Sequence, residues 1–164
     1  MSINEALLGE LNYEIISARK VLERIPADKF DWKPHEKSMS MGVLANHLAD
    51  IFAWYKMVLE TDELDFAANS YTPKTAADTE ELTAIFDANV AAAQESLVKA
   101  EAVEFTKTWT LRNGEHVIFT LPKPSTLRTF VANHLIHHRG QLSVYLRLND
   151  IPVPSIYGPS ADEQ

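Results

Sequence analysis

The sequence predicts an all-helical fold, a four-helix bundle with one short β-hairpin between the third and fourth helices. Three observations carry this. Four segments repeat apolar residues at spacings of three and four, the mark of a buried helical stripe. A single Asn113-Gly114 pair lies between two short runs of β-branched and aromatic residues, the strongest local hairpin signal. Prolines fall between these segments and not within them, where they act as stops.

The first stripe is Leu8, Leu11, Ile15, Ala18, Leu22 and Ile25, closed by Pro26. A connector with Trp32 and Pro34 follows, and Ser38 or Ser40 can cap a second helix whose stripe is Leu44, Ile51, Tyr55 and Val58, since a serine hydroxyl satisfies an orphan amide there. The stretch from Thr61 to Ala77 has Pro73 and no period, and reads as a loop. Asp78 and Glu81 form a capping pair for a third helix along Leu82, Ile85, Phe86, Val90, Ala93 and Leu97, ending near Ala100. Thr108 to Leu111 and His116 to Leu121 are the hairpin strands about Asn113-Gly114. Pro122 and Pro124 stop the second strand, Ser125 or Thr126 caps, and Leu127, Phe130, Val131, Leu135, Leu142, Tyr145 and Leu148 define the fourth helix. The tail from Asn149, with prolines at 152, 154 and 159, is expected to lie non-helically over the bundle surface.

Composition narrows the function. With 164 residues, 46% of them apolar, the chain can enclose one core, so one domain over residues 1–164 is expected. It has no cysteine, which excludes disulfides, thiolate metal sites and a cysteine nucleophile. A net charge of −8 with scattered Lys and Arg argues against a nucleic-acid partner. The most apolar stretch, Met41 to Leu59, carries Asn46, His47, Asp50 and Lys56, which argues against a membrane span. The opening Met1-Ser2-Ile3-Asn4-Glu5 lacks a basic start and an apolar run, so a cytoplasmic location is expected.

Polar rings on the apolar stripes are the chemical signal. At about 100° per residue, His134 and His138 lie about 40° apart on the inward face of the fourth helix, and His47 lies within about 60° of Leu44, Ile51, Trp54 and Val58 on the second. Buried imidazoles without partners cost roughly 1–3 kcal/mol each, and one divalent ion would satisfy all three while keeping a coordination position open. Taken singly, an inward histidine is ordinarily a hydrogen-bonded core residue; the independent inward placement of the pair and the single ring favours a shared ion. His137, at the edge of the stripe, could replace His138 as an i,i+3 ligand but is expected as a flanking or surface group. Asp50 or Gln141, one turn from a ligand, can hold a ring in its tautomer, although either also reads as ordinary solvated polarity. Trp54 and Tyr145 are expected in the pocket, and Arg139, about 140° from His134, is expected to pair with surface carboxylates. A di-iron centre is excluded because neither His47 nor His134 has a glutamate three residues before it.

The connector Trp32-Lys33-Pro34, the Ser38-x-Ser40 cap, His47, the string Asn133-His134-Leu135-Ile136-His137-His138-Arg139-Gly140-Gln141 and the tail Ile151-Pro152-Val153-Pro154-Ser155-Ile156-Tyr157 together resemble the DinB/YfiT-like superfamily over nearly the whole chain. That resemblance implies a four-helix bundle, usually homodimeric, with nickel or zinc held by His47, His134 and His138. Imidazole sites suit several first-row ions, iron included. The chemistry it implies is joining an external low-molecular-weight thiol to a small electrophile, or thiol-dependent isomerisation. Metal-dependent hydrolysis and a non-catalytic metal-binding stress-response role are the alternatives, because fold does not settle reaction.

Overall fold

The computed structural model describes residues 2–68 and 71–163. Helix α1, Ile3–Leu22, starts in a capping box: the Ser2 amide donates to Glu5 Oε2 at 2.7 Å, and the Ser2 hydroxyl accepts from the Glu5 amide. Its stripe buries Leu11, Ala18 and Leu22 completely, with Leu8 and Ile15 packed at the margin. Of the two candidate serines, Ser40 caps the next helix, its Oγ accepting from the Val43 amide at 3.3 Å.

The expected second helix is two segments, α2 over Met41–Ile51 and α3 over Ala53–Glu60. Phe52 between them keeps helical backbone angles and buries its ring edge-on against Phe86 at 4.9 Å. No proline or glycine marks that break, so the period runs through it unaltered. Helix α4, Thr79–Lys99, is capped by Asp78 as expected. It packs against α1, α2 and α3.

Two expectations about the β structure are corrected. The stretch read as a loop contains strand β1, Glu63–Asp65, which pairs in parallel with β2, Thr108–Asn113; β2 pairs antiparallel with β3, His116–Pro122. Three residues are too few to show a period, and β1 is held by groups remote in sequence: Arg112 pairs with Glu63 at 2.8 Å and Asp65 accepts from the Gly114 amide at 2.8 Å. The hairpin also turns one residue later than expected. Asn113 pairs with His116, and Gly114 and Glu115 form the turn, with Gly114 at φ +59°, a conformation that glycine adopts without strain.

The last helical run starts earlier than Ser125. Helix α5, Lys123–Thr126, follows directly from β3 with Pro124 in its first turn, where a missing amide hydrogen costs nothing. A π-helical turn, Leu127–Ala132, then leads into α6, Asn133–Leu148. The protein is thus mostly helical with a small three-stranded sheet, and its helical segments number more than the four expected. Helix α6 packs on α1 and α2, so the histidine faces of α2 and α6 meet. The described residues of the tail form no helix, and the tail is tied down by Arg24, which donates to the Pro152 carbonyl and pairs with Glu163. Among the described residues no helix is long and apolar enough to cross a membrane.

Candidate metal centre

The approach of α2 to α6 brings His47 to His134 and His138. The ring centroids are 5.0 Å apart for His47 and His134, 4.8 Å for His47 and His138, and 4.5 Å for His134 and His138. His138 is buried; His47 and His134 are half-buried. The Nε2 atoms of His47 and His134 are 3.3 Å apart, and one ligating atom from each residue can be chosen so that all lie within 4.8 Å of one another.

Gln141 supports the arrangement. Its Oε1 lies 2.7 Å from His138 Nδ1, so it accepts the Nδ1 hydrogen and leaves the Nε2 lone pair available. Burial is the main force on the protonation of all three rings. It pulls His47 down to about 4, with repulsion from His138 adding to the effect, and it pulls His134 down to about 4, with repulsion from His138 and His47 adding and the Phe130 carbonyl opposing. His138 is also lowered by burial, against the pull of Gln141. Neutral rings with free lone pairs are what a divalent ion requires.

The donor set fits such an ion. Two nitrogens bonded at about 2.0–2.1 Å to one tetrahedral ion stand about 3.3 Å apart, the separation found between His47 and His134, and the three-residue set lies within 4.8 Å. Three protein ligands would leave one position for a reactant.

An aromatic wall flanks the cluster. The Trp54 ring lies 5.5 Å from His47 and 5.3 Å from His134 and stacks on Phe130 at 4.9 Å. Asp50 fixes that indole, accepting from Trp54 Nε1 at 2.9 Å and from the Tyr71 hydroxyl at 2.5 Å. Asp50 is only 5% exposed, and burial raises its pKa while the two hydrogen bonds oppose the rise. It is therefore not a solvated surface acid, and among the described residues its hydrogen bonds come from Trp54 and Tyr71. Tyr71 escaped the sequence reading because it lies in a stretch without periodicity.

His137 is exposed beside the cluster, its ring 4.9 Å from His138. Two other residues lie elsewhere than expected. Tyr145 packs edge-on against Trp32 at 5.5 Å and donates to the Met39 carbonyl at 3.3 Å, so it braces the connector. Arg139 is 1% exposed, not superficial: it pairs with Glu14 of α1 and donates to the Tyr157 hydroxyl at 2.6 Å, joining α6 to α1 and the tail. The helical angle that directs Arg139 away from the histidines directs it toward α1, which the sequence could not place.

Beside His47 and Asp50 opens a cleft of about 630 Å³, bounded by the connector, α2 and residues 73–77. Its size lies within the range of small-molecule sites.

Comparisons with known proteins agree with this architecture. The fold is similar to the crystal structure of a DinB-like protein from Bacillus subtilis, at a TM-score of 0.72 and 18% identity over 92% of this chain and 96% of that one. It is similar also to a DinB-like protein from Bacillus cereus, at a TM-score of 0.69 and 19% identity over 93% of this chain and 97% of that one. No curated protein matches the sequence. The sequence profile described as the DinB family matches residues 7–164. The chain belongs to the DinB family.

Proposed function

We propose that this protein is a metal-dependent enzyme that transfers an external low-molecular-weight thiol to a small electrophile, with His47, His134 and His138 as the ligands. The observation that carries the reading is the meeting of three neutral imidazoles from two helices, next to a cleft able to admit a small molecule. Bound there, zinc, nickel or iron would supply Lewis acidity that lowers the pKa of a thiol. The thiol is external because the chain has no cysteine.

The protein's own groups have defined parts. Gln141 holds His138 in the tautomer that keeps Nε2 free, and Asp50 with Tyr71 holds Trp54 against Phe130 and His134. That wall excludes water from one side of the cluster, which strengthens charge interactions within it. In the reaction the thiol, its pKa lowered, releases its proton to solvent, a sulfur–carbon bond forms as the bond from carbon to the leaving group breaks, and the leaving group departs with that bond's electron pair. Hydrolysis would need a carboxylate free to take a proton from water; Asp50, the acidic group nearest in sequence to the ligands, already accepts from Trp54 and Tyr71, which favours thiol transfer.

The test loads the purified protein with zinc or nickel and offers bacillithiol, mycothiol or glutathione together with monochlorobimane. Metal-dependent conjugation that is lost in His134→Ala is expected. Absence of metal-dependent conjugation with all three thiols would discard the reading.

A further inference from the structure

The cleft beside His47 is built by residues that the histidine cluster does not use. Helix α2 forms its floor from Ser40 to Asp50, a run of about 15 Å at 1.5 Å per residue. At about 100° per residue, Val43, Asn46 and Asp50 fall on one side of His47, whereas the buried Leu44, Leu48 and Ile51 fall on the other. His47 thus stands at the boundary between cleft and core, toward the Asp50 end of the trough.

Both walls are anchored. Asn46 donates to the Ala76 carbonyl at 3.1 Å and accepts from the Ala76 amide at 2.6 Å, which pins residues 73–77 to the helix. On the opposite side Phe30 lies directly on Gly42, where a Cβ would approach its ring to 2.8 Å. The surfaces so presented are mainly apolar, from Phe30, Met39, Val43, Pro73 and Ala77.

Of the charged groups lining the cleft, Lys74 and Asp31 are opposite in sign, and Asp50 is engaged by Trp54 and Tyr71. The first-turn amides of α2 are satisfied: Met41 donates to the Trp32 carbonyl, Gly42 to the Phe30 carbonyl and Val43 to Ser40 Oγ. An anion therefore finds no open helix terminus there.

We infer that this cleft seats the electrophilic substrate, and that the substrate is an uncharged, extended, mainly apolar molecule with its reactive end at His47. The inference rests on the histidines being the reaction centre. Its test is nonetheless independent of metal and activity, so that one can fail without the other.

The metal-free protein is titrated with the neutral fluorophore N-phenyl-1-naphthylamine, with 1-decanol as competitor. Saturable binding displaced by 1-decanol is expected. Val43→Glu and, on the opposite wall, Ala77→Glu should each weaken it at least tenfold; both positions are exposed, so circular dichroism should be unchanged. Binding in His134→Ala should match the unaltered protein, because His134 does not line the cleft. Failure of the fluorophore to bind, or binding unaffected by both glutamates, overturns the assignment. Tighter binding of the anionic 8-anilinonaphthalene-1-sulfonate that is lost in Lys74→Ala overturns the uncharged class. Loss of conjugation with the cleft results intact would instead sink the proposed reaction alone.

Discussion

Acidifying the metal-free protein should destabilise it well before its carboxylates titrate. Burial holds His47 and His134 at about 4 in the folded state, against about 6.5 in the unfolded chain. Between those values the unfolded chain binds more protons than the folded one, so stability rises with pH across the window and is lost as pH falls through it. From pH 7 to pH 5 each ring contributes a loss of at most about 2 kcal/mol, and the two together less than about 4, because the rings are only half-buried and solvent screens them, and because part of the lowering is mutual repulsion. Carboxylates held low by ion pairs and hydrogen bonds, such as Asp162 and Glu104, lose their contribution only nearer the ordinary carboxylate range of about 4. Asp50, raised by burial, acts in the opposite sense. The assay is urea unfolding at pH 7, 6 and 5 in the presence of a chelator, comparing the unaltered protein with His47→Ala/His134→Ala. The comparison concerns the change with pH, not the absolute stability, since truncation has its own cost. A loss below about 1 kcal/mol, or the same loss in the double variant, would refute the reasoning.

Gln141→Leu should reduce zinc or nickel affinity about 10- to 100-fold, since it removes the acceptor that orients His138; competition with a chelating dye reads this, and unchanged affinity would count against the ligand assignment. Arg139→Met removes the buried guanidinium that pairs with the half-buried Glu14, which keeps the Tyr157 hydroxyl, and should cost about 1–3 kcal/mol in urea unfolding, more than loss of an exposed pair such as Arg128 with Glu10. Gly42→Ala drives a methyl group into the Phe30 ring at 2.8 Å and should destabilise by about 1–3 kcal/mol, with N-phenyl-1-naphthylamine binding weakened as the connector wall shifts.

Much of this protein is legible residue by residue. The capping chemistry of Ser40 and Asp78 and the apolar stripes of α1 and α4 are local facts, and a helical period of 3.6 converts them into elements without knowledge of the rest of the chain. The i,i+4 spacing of His134 and His138 is local in the same sense, so their common face follows from the sequence, and a polar ring on an apolar stripe calls for a partner wherever the helix packs. The absence of cysteine likewise restricts the chemistry before any fold is known.

What required the tertiary structure is everything decided by contacts between segments far apart in the chain. Strand β1 exists because β2 and Arg112 lie beside it; its three residues have no period of their own. The break at Phe52 and the π-helical turn before Asn133 keep helical composition, so pattern alone passes over them. Asp50 and Arg139 read as solvated polar groups because charge usually faces water, and only the arrival of Trp54, Tyr71, Glu14 and Tyr157 gives them partners that offset burial. Periodicity names the face a residue occupies. Packing alone decides what meets it there, and that is why the inward histidines could be read from the chain while their 3.3 Å approach, Tyr71 and the cleft along α2 could not.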